Sequence, residues 1–175
     1  MSTTRECGDC SLCCKLTYIK FGPDDDKPAN EWCKQCVPGL GCRIYDERPD
    51  TCDRFSCAWL TDESWPVEHK PRACGCVVKC EVTVDGQPYV RVLEDVQGAS
   101  QNIDRELMRL SMAGLPIQIT SPSEYLRAVV WDRDGLRHTA HTDDEHTGRT
   151  PMISSDVFHD SFMGNINTLR EEAMI

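Results

Sequence analysis

Twelve cysteines fall between residues 7 and 80, and the rest of the 175-residue chain has none. Cys7, Cys10 and Cys13 repeat every third position, and Cys14 follows Cys13 directly. Then come Cys33-x2-Cys36-x5-Cys42, Cys52-x4-Cys57 and Cys74-x-Cys76-x3-Cys80. A C-x2-C unit makes a tight turn that presents two thiolates to one ion, with backbone N–H groups aimed at the sulfurs. Two such units supply the sulfurs of a tetrahedral zinc site, and they equally hold an iron–sulfur cluster. The bacterial ferredoxin pattern C-x2-C-x2-C-x3-C-P is met only up to its third ligand, with no Cys-Pro after it, so zinc and iron both stay open. Neighbouring side chains diverge, so Cys13 and Cys14 are expected to point apart and to serve different metals or bridge two ions. That predicts more than one metal ion or one polynuclear cluster. The plainer alternative makes one of the pair a small buried apolar side chain.

The rest of the composition narrows the chemistry. Net charge is -10 and no basic run occurs, which argues against a nucleic-acid partner. The opening "MSTTRECGDC" has no basic stretch followed by an apolar run, and no window approaches the roughly 18 apolar residues of a membrane span. The expected compartment is the cytoplasm, where thiols stay reduced and clustered cysteines are metal ligands or redox groups before they are disulfides. His138, His141 and His146 sit among acidic residues and read as a solvated loop, while His69 lies just beyond the framework that ends at Cys57 and is a further candidate ligand. No Gly-rich phosphate loop and no G-x-S-x-G is present, so no catalytic residue is assigned.

Positioning those thiols falls to two stretches of different character. Residues 1–80 carry 11 Lys/Arg against 13 Asp/Glu, and residues 81–175 carry 8 against 16. The first stretch, 1–80, reads as a cysteine-cluster metal-binding module. "FGPDDDKPANEW" and "CVPGLGC" are loops punctuated by Pro and Gly, and metal would replace a missing apolar core. One short helix is expected in "ERPDTCDRFSCAWL", with Pro49 at its first position. The second stretch, 81–175, reads as an acidic α+β part, either separate or continuous with the first. It has a hairpin around Asp85-Gly86. A helix over "SQNIDRELMRLSMAGLP" is capped by Ser100, with Ile103, Leu107 and Leu110 on one face. A strand at "PIQIT", a second hairpin turning at Asp134-Gly135 and a closing helix in "SSDVFHDSFMGNINTLREEA" complete it. The predicted fold class is α+β: an irregular, metal-stabilised cysteine-rich N-terminal module on a small part with β-hairpins and two helices.

"CGDCSLCC" followed by "WCKQCVPGLGCRIYDERPDTCDRFSCAWL" resembles the CxxCxxCC family of zinc- or iron-chelating proteins, the YkgJ-like cysteine cluster proteins. The match runs from about residue 7 to residue 72 and includes the block Gly41-Cys42-Arg43-Ile44-Tyr45, then Arg48-Pro49 and Cys52. Asp53 stands where that family commonly has Arg. The resemblance implies metal ligation by Cys7, Cys10, Cys13, Cys14, Cys36, Cys42 and Cys52, with Cys33 and Cys57 as ligands of one subgroup. Cys74, Cys76 and Cys80 lie beyond it and are weaker candidates. Several thiolates around divalent ions leave excess negative charge, so Arg43, Arg48 and Arg54 are expected to offset it and Tyr45 to pack over the site. The expected function is a cytoplasmic metal-binding protein holding zinc or iron, with a structural or partner-presenting role toward an unidentified protein. An iron–sulfur enzyme or electron carrier is one alternative, since some relatives are described as protein lysine methylases. A metal store or chaperone is the other.

Overall fold

The cysteine-rich stretch builds short elements, because its apolar residues are too sparse to drive long ones. The computed structural model describes residues 5–22, 25–82, 86–122, 127–131 and 137–141. Helix α1 (Leu12–Leu16) carries Cys13 and Cys14 and buries Leu12 and Leu16. Strands β1 (Ile19–Lys20) and β2 (Asp26–Lys27) pair antiparallel, as do β3 (Cys36–Val37) and β4 (Gly41–Cys42). The helix expected across 47–60 is two separate turns, α2 (Asp50–Asp53) and α3 (Ala58–Thr61). Pro49 is the cap of α2 rather than its first residue, and extended Cys57 caps α3. α4 (Pro71–Cys74) closes the series with Pro71 at its start.

The second stretch supplies the sheet. β5 (Cys76–Val82) and β6 (Pro88–Glu94) form the expected antiparallel hairpin, with Cys76 opposite Glu94 and Val82 opposite Pro88. A 3₁₀ turn (Ala99–Ile103) and α5 (Asp104–Met112) then cross over to β7 (Ile117–Thr120), which runs parallel to β6. β8 (Arg127–Trp131) and β9 (Arg137–His141) extend the sheet antiparallel, giving the order β5-β6-β7-β8-β9. Ser100 lies buried in the 3₁₀ turn and is not a helix cap; the N–H groups of Gly98 and Ser100 are taken by the buried Glu94 carboxylate at 3.1 and 2.8 Å. Ile103 and Leu107 are fully buried as expected, and Leu110 packs at the margin. Asp85, the turn at 134–135 and the closing helix at 154–173 lie outside the described residues.

The fold is α+β, and the layers meet along β5. Because side chains alternate across a strand, Cys76 and Val78 enter the main core with Val90, Val92, Leu107 and Ile119. Val77 faces the other way and packs on Leu12 and Leu16 of α1. Ala58, Trp59 and Trp65 join the main core, so residues on both sides of position 80 share one apolar interior, and position 80 falls inside β5. Among the described residues no helix is long and apolar enough to cross a membrane.

Candidate metal centre

The N-terminal thiols are held by tight turns. The N–H of Cys10 donates to the Cys7 carbonyl at 2.8 Å, and the N–H of Cys36 to the Cys33 carbonyl at 2.9 Å, so each C-x2-C unit closes on itself. The Gln35 N–H approaches Cys33 Sγ at 3.4 Å, the backbone-to-sulfur contact expected of such a turn. The Cys33 N–H donates to the Cys14 carbonyl at 3.0 Å and joins the two units. Gly8 and Gly41 let the first unit approach β4: Gly41 adopts φ +112°, and a Cβ there would meet the Gly8 carbonyl oxygen at 3.0 Å. Only glycine tolerates both that conformation and that contact.

These turns, α1, β4, α2 and the start of α3 surround one cavity of about 110 Å³. Cys7, Cys10, Cys13 and Cys14 line it from the N-terminal segment. Cys33, Cys42, Cys52 and Cys57 line it from the later ones, and Val77 and Leu60 add apolar wall. Cys36 joins through its thiol, which hydrogen-bonds that of Cys14. The break between α2 and α3 serves this convergence: in one continuous helix, positions five apart would project about 140° apart. Cys13 and Cys14, expected to face different metals, both line this one cavity, and the Cys13 thiol acts on that of Cys14. Consecutive helical positions differ by about 100°, and a wide cavity admits both.

Among the described residues, no three His, Cys, Asp or Glu side chains converge closely enough to hold a single ion. The thiols instead ring the void. None of the twelve cysteines is disulfide-bonded. Cys74 and Cys76 are buried in the main core away from the ring, and Cys80 is exposed on β5. His69 faces Glu106 at 3.1 Å between α4 and α5 and is not at the cavity. His138 and His141 lie on β9, a strand and not a loop, and His146 and His159 are outside the described residues.

The thiols shift one another. Burial pushes Cys7 up, with Cys10 adding and with Arg48 and Lys70 opposing. Cys14 is driven strongly up, first by its hydrogen bond with Cys13 and then by burial, against Cys36 and Lys27. Burial also carries Cys36 and Cys57 to about 11 and raises Cys52, with Cys14, Cys33 and Cys42 adding at Cys52. Cys74 moves down, because Cys76 donates to it.

Of the three expected cations only Arg48 reaches the cavity. Arg43 is exposed, and the Arg54 side chain is 81 % exposed and paired with Asp50. Both belong to short outward turns that carry their side chains into water. Tyr45 lines the cavity mouth, half-exposed, with Arg48 stacked on its ring. Two lysines that sequence reasoning missed supply the remaining charge. Buried Lys27 donates to the carbonyls of Lys15, at 2.8 Å, and Thr17, capping α1 beside Cys13, Cys14 and Cys33. Lys70 acts on Cys7 and pairs with Asp9, which lies inside the Cys7-Gly8-Asp9-Cys10 turn. The pairing of Asp9 with Lys70 and Arg72 spans more than 60 positions, which no local pattern signals.

Comparison with protein-family models, with curated proteins and with solved structures finds no match to this chain. The family resemblance therefore rests on the cysteine spacing and the residues around it.

Proposed function

We propose that this chain holds zinc or iron, more than one ion, through Cys7, Cys10, Cys13, Cys14, Cys33, Cys36, Cys42, Cys52 and Cys57. The loaded layer would act as a structural or partner-presenting platform on the sheet. The observation that carries this reading is the gathering of nine thiols, eight lining one cavity and Cys36 touching Cys14, from turns, helices and a strand. The donor set fits: thiolates select zinc, iron and iron–sulfur clusters, the Cys33-x2-Cys36 turn aims the Gln35 N–H at sulfur, and Arg48, Lys27 and Lys70 offset charge. Zinc would tie the segments together where apolar burial is thin. Iron would add redox or Lewis-acid chemistry.

An iron–sulfur centre of an enzyme or electron carrier is the second reading. It is favoured by the cavity itself, which opens beside Tyr18 and Tyr45 and is ringed by more sulfurs than one tetrahedral ion takes. Elemental analysis and an absorption spectrum on the same anaerobically purified sample test both. Integer loading above one ion per chain is expected, and a chelator should abolish the near-ultraviolet dichroism of the cysteine layer. Broad visible absorbance would favour the second reading, and colourless protein with stoichiometric zinc the first. Protein that takes up no metal when zinc and iron are abundant defeats both.

A further inference from the structure

One donor at the cavity has incomplete hydrogen bonding. Arg48 precedes Pro49, which holds it extended at φ -63°, ψ 143°, and its side chain lines the cavity. The guanidinium stacks on Tyr45, 3.8 Å from the ring centroid, and Nη2 donates to Asp53 Oδ1 at 3.1 Å. Together these contacts fix the plane of the fork. Its Nε is enclosed and has no hydrogen-bond partner among the described residues. A guanidinium does not lose its proton, so this N–H is a donor in every state of the protein. Buried donors are almost always paired, and an exception calls for an unseen acceptor.

The groups around it identify that acceptor. Arg48 shares the cavity wall with Cys7 and with Cys52, and Cys52 is the chain neighbour of Asp53, to which the fork is tied. The other cations felt by the thiols already have partners: Lys70 has Asp9, and Lys27 has two carbonyls. We propose that Arg48 Nε–H donates to a metal-bound thiolate sulfur of Cys7 or Cys52, so that Arg48 is the positioning residue of the loaded centre. This inference rests on the metal-binding reading above. The bond would draw charge from the sulfur and fix its direction, as outer hydrogen bonds do at other metal sites.

The full chain loaded with cadmium-113, a diamagnetic thiolate-seeking ion, tests it by NMR of the arginine side chains. The Arg48 Nε–H signal, assigned through its own backbone, should exchange slowly and carry a scalar coupling to cadmium. Arg48→Lys should take up as much cadmium yet lose metal to a competing chelator roughly 10–100-fold more readily, and Arg54→Lys should match the wild type. A loaded wild type whose Arg48 Nε–H exchanges at the solvent rate without coupling overturns the inference alone, even where Arg48→Lys does not fold. So does an Arg48→Lys protein that holds metal as firmly as the wild type. A wild type that takes up no cadmium overturns the metal reading and this inference with it.

Discussion

Cys14 lines the cavity beside Cys13, and it acts on the thiols of Cys36, Cys7 and Cys52. Removing it should therefore lower metal content without abolishing it, because the Cys7–Cys10 turn closes without it. Cys14→Ser should bind fewer ions per chain by elemental analysis, while Cys80→Ser, altering an exposed thiol outside the ring, should bind the wild-type number. Equal counts in both variants would remove Cys14 from the ligand set. The local part of this arrangement was legible in the sequence, since C-x2-C spacing dictates its own turn. That Cys13 and Cys14 line one cavity was not, because adjacency in sequence says nothing about how wide a void they face. Nor was the choice of Arg48 over Arg43 and Arg54, which depends on which turn of a short, irregular segment faces inward.

At the scale of elements, α3 shows how a helix of one turn is kept. Its free carbonyls are met by Arg5, whose guanidinium donates to the carbonyls of Trp59 at 2.7 Å and Asp62 at 3.2 Å. It continues to those of Glu63 at 3.2 Å and Trp65 at 2.7 Å, and stacks on the Trp59 ring. A cation at a helix C-terminus also meets the favourable end of the peptide dipoles. Arg5 is two residues from Cys7, so the same clip pins the start of the thiol ring to α3, which carries Cys57 at its cap. Arg5→Ala should destabilise the protein by about 1.5–3 kcal/mol, the range for a hydrogen bond to a charged group, read as a lower denaturant midpoint. An unchanged midpoint would mean the clip is not held in solution. In the second stretch, the β5–β6 hairpin, α5 and β7 were readable from alternation and helical periodicity. The split of α2 from α3 was not, because nothing local at Phe55-Ser56-Cys57 breaks a helix; the demand comes from placing Cys52 and Cys57 on one void.

For the whole molecule, the shifted thiols set a pH dependence. Cys36 and Cys57 titrate near 11 in the fold against 9.0 ordinarily, so the metal-free fold favours their protonated forms. A raised acid contributes stability that is complete below the unfolded value and is lost as pH climbs through the folded one. Metal-free protein should therefore lose stability from about pH 9 upward toward 11, measured by denaturant melts at stepped pH. Metal-loaded protein, whose bound thiolates are already ionised, should show a flatter profile and should release protons as it loads. A metal-free melt that is constant over that range would contradict the burial of these two thiols.

β5 lies between the two halves of the molecule and turns alternate side chains to each. Val77 is the wall of the thiol cavity and also the seat of Leu12 and Leu16, while its neighbours Cys76 and Val78 belong to the core beneath α5. Of the candidate ligands only Cys76 and Cys80, both outside the ring, lie on that strand, yet anything that loosens the ring withdraws α1 from Val77. Under the proposed metal-binding function, the β5 amides would be a remote gauge of occupancy. Their hydrogen exchange should quicken when metal is stripped, while the amides of β7 on the far side of β6 keep their protection.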